Sequence, residues 1–189
     1  SIANFCSKVR RRRVCFWTGI ESTSMTPSFW DYTCPNLKGR TALTQHGERI
    51  KNELKLKENM ILVTRSGTIG KVNIVAKHWE DWVASEHVIR IEPASPNIAG
   101  YLYVYLRTPQ ARQLLCRFKY GAVVDEIDDH HVSHLEVPLL RNTLIQSEIN
   151  NLALQANRLR AQAYTIEQEA IRALNDEVIF KLSSLRQGK

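Results

Sequence analysis

The first part of the chain shows little hydrophobic periodicity, and regular patterns begin near residue 60. Residues 1–57 are rich in turn formers and aromatic side chains, and only residues 14–18 have the pattern of a short strand. Three apolar runs with β-forming residues follow, at residues 60–64, 68–75 and 82–91. The pattern predicts a loop-rich N-terminal region followed by three neighbouring antiparallel strands.

Two short helices and a closing strand are predicted after these strands. Residues 98–106 have helical spacing, and Thr108 with Pro109 has the form of an N-cap followed by proline at the first helical position. Residues 132–138 have the pattern of a last strand. Residues 1–140 are therefore predicted to form one α+β domain with small twisted sheets and short helices.

A long helix is predicted over residues 141–186. Residues 142–185 contain neither glycine nor proline, and Thr143 with Gln146 has the form of a capping box. Apolar side chains recur at alternating spacings of four and three, which is typical of a coiled coil, and the seam shifts after Ala170. A helix of roughly 60 Å is longer than the domain could cover, so it requires a partner helix. The residues predicted to pair are Ile145, Ile149, Leu152, Leu159, Ile166, Leu174 and Val178.

The composition is that of a folded protein without a membrane segment. The 189 residues are 43% hydrophobic and 24% charged, which suits one domain with an extended element. No long apolar run or signal peptide is visible, so we expect a cytoplasmic protein. Since the chain begins with Ser1, we also expect a trimmed chain or a fragment of a longer one.

The cysteines have no metal-binding or redox spacing. Cys6, Cys15, Cys34 and Cys116 form no CxxC pair, which argues against a zinc ribbon or a dithiol site. Reduced structural thiols are the expected state.

Positive charge is concentrated near the N-terminus. The net charge of the chain is +7, and residues 1–80 hold fourteen Lys or Arg against six Asp or Glu. Residues 81–140 hold five against eight, so the positive field of the first segment is the part that would attract a polyanion.

The segment from Ser66 to Lys71 has a superficial likeness to a phosphate-binding loop. A Walker-type loop would need glycine at Arg65 and a hydroxyl residue at Val72, and the chain has neither. A tight turn between two strands is the preferred interpretation, and a turn that touches a nucleic-acid backbone is the alternative.

The histidine and acidic clusters near residue 130 are weak candidates for a site. His130 and His134 have i,i+4 spacing, which would suit a metal on a helix, but the predicted strand would disperse them. The acidic stretch offers carboxylates for acid–base or magnesium chemistry, yet a stretch that faces solvent or a basic partner is the preferred interpretation. That stretch consists of Asp125, Glu126, Asp128 and Asp129. No catalytic tetrad or glycine-rich cofactor motif of a methyltransferase is visible, so we expect neither catalysis nor a bound metal or cofactor.

Basic side chains define a candidate DNA-binding set. Arg10 to Arg13 form the densest basic run, and lysine and arginine contacts to phosphate set the affinity of DNA-binding proteins. A solvated basic face remains the alternative. The full set comprises Lys8, Arg10, Arg11, Arg12, Arg13, Lys38, Arg40, Arg65, Ser66, Thr68, Lys71, Lys119 and Tyr120.

Five segments occur in an ordered arrangement ahead of the predicted long helix. They are residues 59–72 (NMILVTRSGTIGKV), 83–91 (VASEHVIRI), 100–106 (GYLYVYL), 120–127 (YGAVVDEI) and 135–139 (LEVPL). In this order they resemble the specificity subunits of type I restriction-modification systems, and the likeness covers about residues 56–182. Residues 1–55 match loosely, as expected of a recognition region that varies with the target.

The resemblance implies a non-catalytic module that reads one half of a bipartite site in double-stranded DNA. It implies a complex with methylation and restriction subunits, in which the methylation subunits use S-adenosylmethionine and this chain binds no cofactor. The long helix would pair antiparallel with a second helix. Full-length subunits of this family carry two recognition domains and two helices, so this chain would be a self-pairing half-subunit or a fragment.

Two alternatives remain open from the sequence. The chain could be the recognition tail of a fused restriction-methylation enzyme, with catalysis on a missing upstream segment. It could also be a coiled-coil scaffold whose basic globular part binds an acidic protein.

Overall fold

A four-stranded antiparallel sheet lies at the centre of the fold. The computed structural model describes residues 1–10, 16–17, 24–25, 42–43, 55–66, 68–80, 82–84, 87–122 and 124–180. The strand order is β1-β8-β5-β6, with β1 at Cys6–Arg10, β5 at Ile61–Thr64, β6 at Val72–Ile74 and β8 at Val88–Pro93. β5 pairs antiparallel with both β6 and β8, which confirms the predicted neighbouring strands.

The structure corrects three strand boundaries. β1 pairs with β8 along the edge of the sheet, although residues 1–57 were expected to be loop-rich. The predicted strand 68–75 is confined to β6 because residues 68–70 form a turn. The predicted strand 82–91 divides into β7, Val83–Ala84, and β8.

Two small two-stranded sheets complete the β-structure of the described residues. β2, Phe16–Trp17, pairs antiparallel with β4, Ala42–Leu43, and lies within the strand predicted at residues 14–18. β3, Ser24–Met25, pairs with β7 in parallel.

The alternation of β5 separates two hydrophobic clusters. All four residues of β5 are buried, because both of its faces are covered. Ile61 and Val63 belong to the main core with residues of the helices, whereas Leu62 belongs to a smaller cluster with Leu56 and Trp79. This two-residue period is the expected geometry of a strand.

Two helices follow the sheet close to where the sequence placed them. α1 spans Pro96–Leu106 and α2 spans Pro109–Cys116. Ser95 caps α1, and the Thr108 side chain accepts a hydrogen bond from the N–H of Ala111 at the start of α2. The predicted cap at Thr108 is therefore confirmed, with proline at the first helical position.

Residues 132–138 do not form the predicted closing strand. A short helix, α3, spans Asp129–His134, because Asp128 and His131 form a capping box that starts it. The following carbonyl groups accept hydrogen bonds from other elements: Leu135 from the N–H of Ile2, Glu136 from the Tyr105 hydroxyl and Pro138 from the Tyr101 hydroxyl. These bonds replace the ladder that a strand would need.

The long helix α4 spans Thr143–Leu174 and continues as a π-helical segment, Asn175–Phe180. Its 32 residues correspond to about 48 Å. The predicted capping box of Thr143 and Gln146 is wrong, because the cap is Asn142, whose side chain accepts from the N–H groups of Leu144 and Ile145. Gln146 accepts instead from the N–H of Leu140. No helix in the described part of the chain is long and apolar enough to cross a membrane.

One face of α4 is part of the globular core. The buried residues of the helix are Asn150, Ala153, Leu154, Asn157 and Ala161, and α4 packs chiefly against α1. Ala153 and Leu154 belong to the main hydrophobic cluster. The sequence pattern predicted a different stripe and missed this one, since all its members except Leu154 are small or polar.

The two cysteines in the described residues, Cys6 and Cys116, are free. Cys6 packs against the main core, and burial raises the pKa of its thiol to about 12. The thiol is therefore protonated and unreactive at neutral pH, as a structural cysteine is expected to be.

Candidate nucleic-acid interface

Two segments that the sequence singled out separately lie side by side. The turn after β5 and the loop that follows α2 are joined by a β-bridge between Ser66 and Glu126. The N–H of Ile127 also donates to the carbonyl of Arg65 at 2.9 Å. Residues about 60 positions apart in the chain therefore form one edge of the molecule, which we call the turn–loop edge (residues 65–66, 68–71, 117–122 and 124–127).

The buried side chain of Arg65 connects the two segments of the turn–loop edge. Its side chain is only 4% exposed, and its Nη2 lies 2.7 Å from the Glu126 carboxylate and 3.3 Å from the Tyr120 hydroxyl. Its Nε donates to the carbonyl of Ile127 at 3.1 Å. The guanidinium is thus held by three partners within the protein, and contact of Arg65 with DNA stays a prediction.

Residues 68–70 form a tight turn between β5 and β6, which is the interpretation preferred from the sequence. Gly70 has φ of 72°, a left-handed conformation that suits glycine, and its N–H donates to the carbonyl of Thr64. The Thr64 hydroxyl accepts from the N–H of Lys71 at 3.0 Å and donates to the carbonyl of Thr68. These bonds fix the backbone while leaving Thr68 and Lys71 exposed.

The loop half of the edge is closed by its own backbone pairing. The N–H groups of Tyr120 and Glu126 donate to each other's carbonyl oxygens at 2.9 and 2.7 Å. Lys119 and Tyr120 are exposed, and the Lys119 ammonium lies 3.1 Å from the Asp125 carboxylate. Since both partners are about half exposed, water and salt screen this pair, and a stronger anion could displace Asp125.

Helix α2 adds basic residues that sequence reasoning missed. Arg112 and Arg117 are exposed, and a Cβ built on Gly70 would lie 3.3 Å from the Arg112 Cγ. Arg112 therefore lies over the turn. The available signal was the helical spacing after Pro109, which places Arg112 on the polar face, but the contact with Gly70 is long-range and invisible in the sequence.

The acidic stretch is used by the fold. Glu126 pairs with Arg65, Asp125 with Lys119, and Asp128 caps α3. Glycine at position 121 is required too, since its φ is 114° and a Cβ would lie 2.1 Å from the carbonyl oxygen of Val124. Structural roles account for three of the four carboxylates, in line with the preferred interpretation of a stretch that faces solvent or basic groups.

The remaining DNA-binding candidates lie on β1 or outside the described residues. Lys8 is exposed on β1, and Arg10 ends that strand. Arg11, Arg12, Arg13, Lys38 and Arg40 lie outside the described residues, so their DNA contacts stay predictions.

The predicted helix-pairing residues form an exposed apolar stripe on α4. Leu152, Leu159 and Ile166 are 58, 55 and 65% exposed, and Ile145 and Leu174 are 47 and 56% exposed. Ile149 is half-buried, and the side chain of Val178 lies outside the description. The stripe lies away from the face that packs on α1, so a second helix could reach it.

Comparisons with known proteins give one family match and one similar fold. Residues 31–149 match the family described as "Type I restriction modification DNA specificity domain". The fold is similar to that of the crystal structure of a type I restriction-modification system S subunit from M. genitalium, with a TM-score of 0.53 and 20% sequence identity. That match covers 98% of this chain and 45% of the S subunit. No curated protein matches the chain.

The family match covers more than half of the chain, and it confirms the resemblance and the expectation of a specificity component without a catalytic role. The chain spans about half the length of the S subunit that it resembles. With its small sheets, short helices and long helix α4, this chain belongs to the type I restriction-modification DNA specificity domain family.

Proposed function

We propose that this chain reads one half of a bipartite site in duplex DNA for a type I restriction-modification complex. The observation that carries the proposal is the turn–loop edge. There the Ser66–Glu126 bridge places exposed basic residues from two segments, distant in sequence, next to each other and beside α2. Lys71, Arg112 and Lys119 would contact phosphates and set the register, whereas base selection would fall to other side chains.

The N-terminal basic residues would extend the same surface electrostatically. Residues 1–80 carry the excess of positive charge, and Lys8 is exposed on an edge strand. Neutralising phosphates releases counterions, so the proposal implies binding that weakens steeply with salt.

Within the same proposal, methylation and restriction subunits supply the chemistry. S-adenosylmethionine would bind to the methylation subunits, and this chain would hold no cofactor. The exposed stripe of α4 would pair antiparallel with the helix of a second copy or of another half of the subunit, and so fix the distance between half-sites. A cytoplasmic location follows from this assignment.

DNA binding through the turn–loop edge is tested by a charge-matched pair of triple variants. Lys71→Ala, Arg112→Ala and Lys119→Ala together remove three positive charges from the edge and the adjacent α2. Lys57→Ala, Lys77→Ala and Arg158→Ala remove three exposed charges elsewhere. Fluorescence anisotropy with duplex DNA over a salt series should show a slope reduced by about 0.9 per lost phosphate contact in the first variant. Equal slopes in both variants would contradict the proposed edge.

Sequence specificity needs a separate measurement. Selection from a library of randomised duplexes, followed by sequencing, should enrich one short motif with the intact chain. Enrichment of no motif, with DNA still bound, would reduce the chain to a non-specific DNA-binding protein.

Docking of methylation subunits is tested by co-expression. The chain should co-purify with the methylation subunits of its own system and confer adenine methylation at the selected motif. Purification of the chain without them would remove this part of the proposal and leave DNA binding intact.

A further inference from the structure

A histidine-rich cluster lies on α3, close to the turn–loop edge but outside the residues assigned to DNA. Asp128, His130 and His131 each present one metal-binding atom, and these atoms lie within 4.8 Å of one another. The sequence pattern predicted a strand that would disperse the histidines, whereas the helix brings them to one side. Asp128 and His131 are half-buried and His130 is exposed.

His134 adds a third imidazole beside those of His130 and His131. Its ring centroid lies 4.2 Å from that of His130, as expected from i,i+4 spacing on a helix. Its Nδ1 lies 2.9 Å from the carbonyl oxygen of His130 and 3.1 Å from the Ser133 hydroxyl oxygen. The carbonyl contact favours a proton on Nδ1, and the neutral ring then has its lone pair on Nε2, the form that metal-binding histidines adopt when a carbonyl orients them.

We propose that Asp128, His130 and His131 bind a divalent transition-metal ion of the zinc class, with His134 available as a further ligand. Imidazole nitrogen and carboxylate oxygen bind zinc at about 2.0–2.2 Å, and one such atom from each of the three residues already lies within 4.8 Å of the other two. Each of these side chains also offers a second ligand atom, so Asp128 and His131 can bind a metal while the capping box uses Asp128 Oδ1 and His131 Nδ1. Magnesium and calcium are disfavoured because they prefer sets of oxygen ligands.

The metal would connect α3 with the loop half of the turn–loop edge. The His131 ring stacks on Phe118, with centroids 5.3 Å apart and planes 11° apart, and lies 5.9 Å from the Tyr120 ring. A metal-bound His131 would have a fixed ring position, and the exposed aromatic residues that rest on it would be held with it. This inference concerns metal binding alone and stands whether or not the chain binds DNA.

Three variants remove ligands while preserving the local fold. His131→Gln keeps a side chain that can close the capping box, since glutamine is common at that position, and Asp128→Asn keeps an efficient N-cap. His130→Gln changes an exposed residue. His87→Gln, an exposed histidine outside α3, is the matched control. Equal melting temperatures of all variants in chelator show that the fold is retained.

The experiment uses the full chain after treatment with chelator. Calorimetric titration with Zn²⁺ should show one site, and Co²⁺ should give visible absorption bands of a nitrogen- and oxygen-ligated ion. His130→Gln, His131→Gln and Asp128→Asn should each weaken binding at least tenfold, and the control should bind as the original chain does. Melting temperature should rise with Zn²⁺ in the original chain and the control only.

Three outcomes would overturn the inference. The first is the absence of saturable Zn²⁺ binding. The second is binding that the three variants leave unchanged. The third is a thiolate-to-cobalt charge-transfer band, which would assign the metal to cysteines.

Discussion

The side-chain amide of Asn150 in α4 lies against the backbone of Gly100 in α1. Its Oδ1 accepts hydrogen bonds from the N–H groups of Gly100 and Tyr101 at 2.9 and 3.2 Å, and its Nδ2 donates to the carbonyl of Pro96 at 3.1 Å. A Cβ on Gly100 would lie 2.3 Å from the carbonyl oxygen of Asn150. The two helices therefore approach each other closely because one position lacks a side chain and the other carries an amide.

Replacing Gly100 with alanine should destabilise the fold. Alanine normally stabilises a helix interior by about 1 kcal/mol relative to glycine, but here the added methyl meets the backbone of α4. We expect a net loss of about 1–3 kcal/mol in the free energy of unfolding, as for an overpacked core. Urea denaturation measures it, with Val104→Ala on the exposed side of α1 as the control. A stability gain in Gly100→Ala would show that the helices are further apart.

The two buried asparagines of α4 should differ in their contributions. Asn150→Ala leaves the N–H of Gly100 and the carbonyl of Pro96 without this partner, at a cost of about 1–3 kcal/mol. Asn157 donates to the carbonyl of Val75 at 2.9 Å and to the Asn59 side chain, but its own Oδ1 is buried without a hydrogen-bond partner. Asn157→Ala should therefore cost less than Asn150→Ala in the same denaturation assay; the reverse order would contradict this assignment.

Removing the Glu126 carboxylate should lower the stability of the turn–loop edge, because it removes the charged partner of Arg65. Glu126→Gln leaves the buried guanidinium with only neutral partners, and we expect a loss of about 1–2 kcal/mol, moderated by the 31% exposure of the Glu126 side chain. Hydrogen exchange should become faster at the amide of Ile127, which pairs with Arg65. Asp125→Asn is the matched control, since the ion pair of Asp125 with Lys119 is on the surface. An equal effect of both variants would argue against a stabilising role of the buried Arg65–Glu126 pair.

Local signals in the sequence were sufficient for the elements whose boundaries depend on nearby residues. The cap at Thr108, the strand β5 and the long helix follow from spacing and from proline and turn residues close by. The strand predicted at 132–138 is wrong for two reasons. The capping box of Asp128 and His131 starts a helix there despite the apolar alternation, and groups distant in sequence donate hydrogen bonds to the carbonyl oxygens that follow it.

The candidate site was predictable in its parts but not in its assembly. Residues 65–71 and 119–120 were selected from charge and resemblance, whereas their bridge through Ser66 and Glu126 is a long-range contact. Burial of Arg65 could not be predicted, because its partners lie about 60 residues away in the chain. The buried face of α4 was missed for a related reason: apart from Leu154 it consists of asparagine and alanine, which give a weak hydrophobic signal, and the role of Asn150 depends on the backbone of α1.

Charged residues in the exposed stripe of α4 should weaken self-association or assembly. Leu152 and Leu159 are more than half exposed in the single chain, and burying them against a second helix would remove apolar surface from water. Leu152→Asp with Leu159→Asp should lower the sedimentation coefficient of an associated species at a fixed concentration, while the melting behaviour of the globular part persists because the stripe lies opposite α1. Asn151→Asp with Gln155→Asp, both also exposed on α4, is the control for helix propensity and for two added charges. An unaltered assembly state in the double variant would show that the stripe does not pair, whatever the chain does with DNA.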